Sequence, residues 1–303
     1  MTDTRAARTD QGTADVSAAE SVSLSLETPG RGERPTLLGR LHGMPPWVGA
    51  IIGIVVVIIV WQIVSVTFYP KTQSIPQPGL VGKQLIYDLF QTGVYWNAIA
   101  KTGGAAAWGY LWGNLVAFFL AFLVLIQPWF ENISLQLAVI TSCIPLTAIG
   151  PIVTLLAPAG SRSTSIFLAA LSVIFTTVVG TLLGLRAASE TQIDVIRAYG
   201  GGRMTQLFKV RLIAALPSIL AALKLAAPAA FLGSVLGEYF TNGVDSGIGI
   251  LLLAAQATGA SVRLWALALI SAGVAGLAYF VIGRIGRLLA PWSAGDSNAG
   301  GGF

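Results

Sequence analysis

Six stretches of the chain are apolar on every side of a helix, and each is long enough to cross a hydrocarbon layer. They run over residues 47–66, 104–126, 133–156, 164–185, 214–238 and 263–283. A bilayer core about 30 Å thick needs roughly 20 helical residues. None of the six shows the in–out alternation of a lipid-facing barrel strand. Inside lipid each backbone amide must find its partner within its own segment, which leaves the helix. The pattern predicts an all-α membrane protein with six transmembrane helices.

Between the spans the pattern changes. Residues 1–35 are rich in Ser, Thr, Ala, Gly and charge and read as a disordered tail. Residues 36–290 hold the transmembrane domain, and 291–303 read as a flexible C-terminal tail. Within 79–100, Leu80, Ile86, Leu89 and Phe90 recur at helical spacing. They predict a short amphipathic helix at the membrane surface, with Tyr95 and Trp96 suited to that boundary. Glycines recur four apart at 49/53, 109/113, 180/184 and 233/237, a spacing that lets helix backbones approach closely in lipid. Chance pairing among 35 glycines explains the same spacing.

Composition agrees with the pattern. The chain is 54% hydrophobic and 10% charged, against about 25% charged in a soluble domain. The net charge of +5 does not signal nucleic acid, because the basic residues sit at the ends of apolar segments. Arg31, Arg34 and Arg40 precede the first span. Arg186, Arg197, Arg203, Lys209 and Arg211 lie between the fourth and fifth, and Arg284 and Arg287 follow the sixth. With six spans these three regions share one side, which places both termini in the cytoplasm and the chain as a multi-pass protein of the cell membrane. One Cys, Cys143, and one His, His42, make neither an intrachain disulfide nor a metal cluster. No catalytic residue, metal site or bound cofactor is expected.

The loop from Arg186 to Leu212 exceeds what a helical hairpin needs. Ser189, followed by Glu190 and Asp194, is placed to open a helix. Ile193, Val195, Ile196 and Tyr199 give that helix an apolar surface, and Gly200, Gly201 and Gly202 end it. Asp194, Arg197 and Arg203 supply a polar rim. Such an element either docks into a groove of a partner or is a solvated connector, and spacing alone leaves both readings standing.

Polar residues in or beside the spans are the candidates for a pathway or gate. Thr141, Ser142 and Thr147 surround Pro145 in the third span, where a broken helix would expose carbonyls. Back-bonding of the hydroxyls to their own helix is the plainer reading. Glu238 ends the fifth span as a gate residue, a helix-end partner or a charge reaching for water. Lys224 reads as a cation near the cytoplasmic boundary, or a paired one.

The loop resembles the signature of type I ABC importer permeases, in which Glu-Ala-Ala is followed by Gly six residues after the Glu, then an apolar residue and Leu-Pro. Asp194, Val195 and Ile196 stand at Glu-Ala-Ala, Gly200 at the Gly, and Val210 and Leu212 further on. Asp replaces Glu, bulkier residues replace the alanines, and Ile213 stands where Pro is usual. Leu216-Pro217, Ile144-Pro145 with Pro151, Lys224, the segment IPQPGLVGKQL, and Glu238 followed by Ser246-Gly247-Ile248-Gly249 resemble the nitrate/sulfonate/taurine branch.

The resemblance implies a permease subunit forming the pathway for a small solute delivered by an extracytoplasmic solute-binding protein. It implies a coupling helix between the fourth and fifth spans, carried by Ile193, Asp194, Val195, Ile196, Arg197, Ala198, Tyr199 and the Gly200–Arg203 turn. That helix would be pressed by separate ABC ATPase subunits, since the chain has no GxxxxGK[ST] phosphate loop of its own. A second permease copy or a paralogous permease would complete the assembly. The competing readings are a secondary transporter or channel independent of ATP, and an intramembrane enzyme. The first would show coupling charges or repeated helices, and the second a nucleophile–base pair in the membrane.

Overall fold

The computed structural model describes residues 46–68, 74–127, 129–241 and 243–294. The tail read at 1–35 and the end of the chain beyond residue 294 lie outside the described residues. The helices in order are α1 Pro46–Phe68, α2 Pro78–Tyr87, α3 Val94–Ile126, α4 Phe130–Cys143, α5 Leu146–Leu156, α6 Ser163–Leu185 and α7 Glu190–Ala198. They continue with α8 Arg203–Gln206, α9 Leu212–Glu238, α10 Ile248–Ala257 and α11 Ser261–Leu289. Single π-turns, Asp88–Thr92 and Leu207–Arg211, precede α3 and α9, and a short 3₁₀ turn, Pro291–Ala294, closes the described chain.

The chain divides into two units at Val60/Trp61. In the first, the described residues are the opening of α1, a run without a charged residue whose large apolar side chains are exposed. Gly49 and Gly53 have open space around them among the described residues.

In the second unit the core is built on small residues. A methyl group added at Gly109 or Gly113 of α3 would run into Ala169, Ala170 or Val173 of α6. At Gly180 or Gly184 of α6 it would run into Ala215, Ser218 or Ala222 of α9. At Gly233 or Gly237 of α9 it would strike the α6 backbone near Leu168 and Ser165. These three pairs predicted from sequence are true backbone contacts. Lipid supplies no hydrophobic drive between spans, so close van der Waals packing and interhelical hydrogen bonds hold α6 between α3 and α9. Thr177 on α6 donates to Asn114 on α3 at 2.7 Å, with both side chains buried.

Among the described residues five helices are long and apolar enough to cross a membrane, and a sixth span is counted if the bent pair α4–α5 is one crossing. The span read at 133–156 is broken at its first proline, as Pro145 allowed: α4 and α5 meet at 92°. Pro145 has no N–H to continue the α4 ladder and disfavours helix at the preceding residue. Ile144 is accordingly extended, and Pro145 becomes the N-cap of α5. Pro151, Pro217 and Pro228 lie inside helices without ending them.

The amphipathic helix read over 79–100 is shorter than expected. It ends at Tyr87, passes through the π-turn, and breaks at Gly93, whose φ of 64° is the left-handed conformation that glycine adopts freely. Residues 94–100 belong instead to the start of the second span.

Candidate functional site

The predicted helix between the fourth and fifth spans is present as α7. Ser189 caps it with a full capping box: its hydroxyl accepts from the Gln192 amide, and the Gln192 side chain accepts from the Ser189 amide. Two orphan donors of a nine-residue helix are thereby satisfied. The far end closes at Tyr199, with Gly200 left-handed at φ 76° and its amide bonded to the Arg197 carbonyl. At Gly201 a side chain would collide with Ile196. The first glycine thus supplies conformation and the second supplies room.

The α7 residues do not share one face. Ile193 is buried inside the chain, and Ile196 is half-buried against the glycine turn. Of the predicted contact residues Asp194, Val195, Arg197, Ala198 and Tyr199 are exposed, Tyr199 to 88%. Asp194 and Arg197 pair with each other at 2.9 Å. After the turn, Met204 and Phe208 add exposed apolar surface. Their i, i+4 spacing was visible, but the π-turn that carries Phe208 was not.

Glu238 lies at the other end of the helices. It is 2% exposed and its carboxylate is saturated. Oε1 accepts from Thr102 Oγ1 at 2.8 Å and from Arg162 Nη1 at 3.1 Å. Oε2 accepts from the Gly249 amide at 2.8 Å, and Thr102 Oγ1 in turn accepts from the Ile248 amide at 2.9 Å. Arg162 also donates to the Ser246 carbonyl. Glu238 and Thr102 therefore cap the N-terminus of α10, where a negative charge is favoured by the helix dipole. One carboxylate thus ties together α3, the Arg162 cap of α6, α9 and α10. Glycine is required at 247 and 249, because a side chain at 247 would overlap the Glu238 carboxylate and one at 249 the Val235 carbonyl.

A second carboxylate clasp lies at the same end. Asp88, also buried, accepts from Tyr95 at 2.6 Å and Gln84 at 3.0 Å, and lies 3.4 Å from Arg263. It joins the α2–α3 turn to the start of α11. The sequence reading missed it, since Asp88 and Arg263 are far apart in the chain. At the α7 end, Arg186 pairs with Glu131 and links the end of α6 to the start of α4.

The other pathway candidates are separate from Glu238: Thr141, Ser142 and Thr147 are not among its hydrogen-bond partners. Thr141 donates to the Ala138 carbonyl at 2.7 Å and Ser142 to the Val139 carbonyl at 2.8 Å, the back-bonded arrangement. Ser142, Pro145 and Thr147 are exposed at the α4–α5 bend. Lys224 lays its ammonium 4.2 Å over the Tyr279 ring, with its stem against Gly283. A largely apolar cavity of about 340 Å³ opens between α3, α9 and α11, walled by Ala106, Tyr110, Phe231 and Val274 among others. The Tyr110 hydroxyl is engaged by the Leu223 carbonyl at 3.1 Å.

An all-helical multi-pass membrane protein with a capped extramembrane helix between two spans is the frame of a transport permease. The sequence profile of the binding-protein-dependent transport system inner membrane component family matches residues 113–293, and the chain belongs to that family. It is the permease subunit of a type I ABC importer. A probable ABC transporter permease protein of Haemophilus influenzae is 28% identical over 67% of this chain and 80% of its own length. The riboflavin transport system permease protein RibX of Chloroflexus aurantiacus is 25% identical over 82% of this chain and 91% of its own. A putative aliphatic sulfonates transport permease protein, SsuC, of Escherichia coli K12 is 27% identical over 66% and 74%.

Proposed function

We propose that α7 is the coupling helix, and that Val195, Ala198 and Tyr199 seat it in a cleft of a separate ABC ATPase subunit. The observation that carries this reading is a stable, capped helix that exposes Val195 and Tyr199. Exposed aromatic and aliphatic anchors inside a polar rim are the usual make-up of a docking centre. Asp194 and Arg197 form the rim, and the Gly200–Gly202 turn lets the helix change its angle to α9. Ile193 serves differently from the contact first expected, by fastening α7 to its own chain. Met204 and Phe208 extend the docking surface.

In this reading the chain is not an enzyme and holds no cofactor, because ATP is bound and hydrolysed by the partner. Residues 36–290 form the permease domain, the α7 end faces the cytoplasm with both termini, and the Glu238 end faces a solute-binding protein. A second permease, identical or paralogous, completes the pathway. The solute is small, in the range of the sulfonate and riboflavin in the relatives' names. Thr141, Ser142, Pro145 and Thr147 stand at the break in the third span, where carbonyls freed by Pro145 face the pathway. Glu238 holds the outer ends together as a clasp, out of the solute's reach.

The test is Tyr199→Asp in the assembled complex. The expected result is a folded permease whose complex loses ATP-driven uptake. Undiminished uptake would remove α7 from the coupling role.

A further inference from the structure

The short helix α5 is held by little besides packing. It has 11 residues and hangs between two X-Pro joints, Ile144-Pro145 before it and Ala157-Pro158 after it. Proline disfavours helix at the residue before it, and Ile144 and Ala157 are both extended. Such joints absorb a change of backbone angle while the helix between them stays intact. Among the described residues one side-chain hydrogen bond joins α5 to another helix, between Thr154 and Thr164 of α6 at 3.2 Å.

The other hold is steric. Gly150 of α5 is buried beneath the ring of Phe240, and a methyl group at 150 would overlap that ring. Phe240 stands two residues past the end of α9. Its amide donates to the Gly237 carbonyl at 3.2 Å, and the Thr241 hydroxyl donates to the same carbonyl at 2.9 Å. The ring is therefore fixed to the end of α9. Counted back through the π-turn, this helix runs Met204–Glu238 over 35 residues, a rod about 50 Å long. One end of the rod follows the 200–202 glycine turn of α7, and the other carries Phe240 into the notch at Gly150.

Packed helices shift as discrete bodies rather than deforming continuously. A tilt of α9 must either draw α5 along through the ring or part the ring from its notch. Parting forfeits the contacts on both sides of the gap, whereas the two proline joints offer α5 freedom to follow.

We propose that Phe240 is a positioning residue for import, which carries movement of α9 into α5. This rests on the reading of α7 as the coupling helix and adds the route by which its movement reaches the second half of the third span. The size match between ring and notch is what transmits the motion.

The assembled complex carries Cys143→Ser and Leu155→Cys, the latter an exposed position on α5. Fluorescein maleimide reports the reactivity of the new thiol without nucleotide and after trapping with ATP and vanadate. With Gly150 and Phe240 intact, the labelling rate should differ about threefold or more between the two states. Phe240→Ala should abolish the difference, and so should Gly150→Ala, which displaces the ring. Gly150→Ala with Phe240→Val trades ring for methyl and should bring the difference back to within about twofold of the intact pair. A ring that only adds stability would give no such size-matched rescue of a nucleotide response. A Tyr199→Cys crosslink to the ATPase, measured separately in the same variants, distinguishes the two readings. A Leu155→Cys response that depends on Phe240, in a complex lacking that crosslink, would strike the role of α7 and support that of Phe240. A response that survives Phe240→Ala, or none at all with Phe240 in place, would overturn the proposal.

Discussion

Glu238 and Arg162 meet at 3.1 Å although 76 positions separate them in the chain. One ends the fifth span and the other caps the fourth, so their pairing fixes the facing ends of two antiparallel helices. The carboxylate also caps α10. Replacing Glu238 with Ala removes the acceptor from Arg162 and the Gly249 amide together. Breaking a buried ion pair by deleting one partner costs about 3–5 kcal/mol, and the partial exposure of Arg162, at 21%, places this case at about 3 kcal/mol. Thermal unfolding of the purified protein in detergent should show a large drop for Glu238→Ala. Glu238→Gln keeps an acceptor oxygen and should fall by less. Equal stability of all three would contradict the clasp.

The glycines beneath that carboxylate supply a steric prediction. Gly247 is extended, with φ 171°, a conformation open to any residue. What forbids a side chain there is the Glu238 carboxylate itself, and at Gly249 the Val235 carbonyl. Gly247→Ala and Gly249→Ala should therefore reduce the yield of folded protein, whereas Gly82→Ala, in open space within α2, should match or exceed wild type. Monodispersity by size-exclusion chromatography separates the two groups.

Much of the fold was legible from the chain. Six apolar stretches gave the spans because lipid demands long, internally bonded helices, and three of the four glycine pairs proved to be backbone contacts. The α7 helix was legible through Ser189 and the glycine triplet. Two features were not. Pro145 let a break in the third span be anticipated, but its 92° angle depends on Ile144 turning extended, which periodicity does not report. The clasps Glu238–Arg162 and Asp88–Arg263 join residues distant in sequence, and the residue types alone do not announce their pairing. The split between an inward Ile193 and an outward Val195 and Tyr199 was hidden for a similar reason, because the apolar positions of so short a helix do not declare which of them its own chain will cover.

The hydrogen bond between Thr177 and Asn114 crosses from α6 to α3 within the spans. Thr177→Val keeps the shape of the side chain and removes the donor. Interhelical hydrogen bonds in membrane proteins contribute about 0.6 kcal/mol on average and up to about 1.7. Reversible unfolding in mixed micelles should show a loss in this range for Thr177→Val. A loss above this range would mean that the Asn114 amide, already donating to the Tyr110 carbonyl, cannot re-pair its oxygen.

The capping box of α7 predicts a graded effect on coupling. Ser189→Ala should destabilise the short helix by about 1 kcal/mol, and Ser189→Asp should restore it. Because the change is confined to α7, overall thermal stability should move little. ATP-driven turnover of the assembled complex should fall for Ser189→Ala and recover for Ser189→Asp. Turnover indifferent to the cap would mean that α7 need not be preformed.

The most direct measurement is a crosslink at Tyr199, the exposed C-cap of α7. The single cysteine, Cys143, is first replaced by Ser. Tyr199→Cys is then combined with single cysteines placed around the cleft of the partner ATPase, and oxidation is followed with and without nucleotide. The account predicts a disulfide-linked permease–ATPase pair whose yield changes with ATP. Absence of any such pair, in a complex that still imports solute, would contradict it.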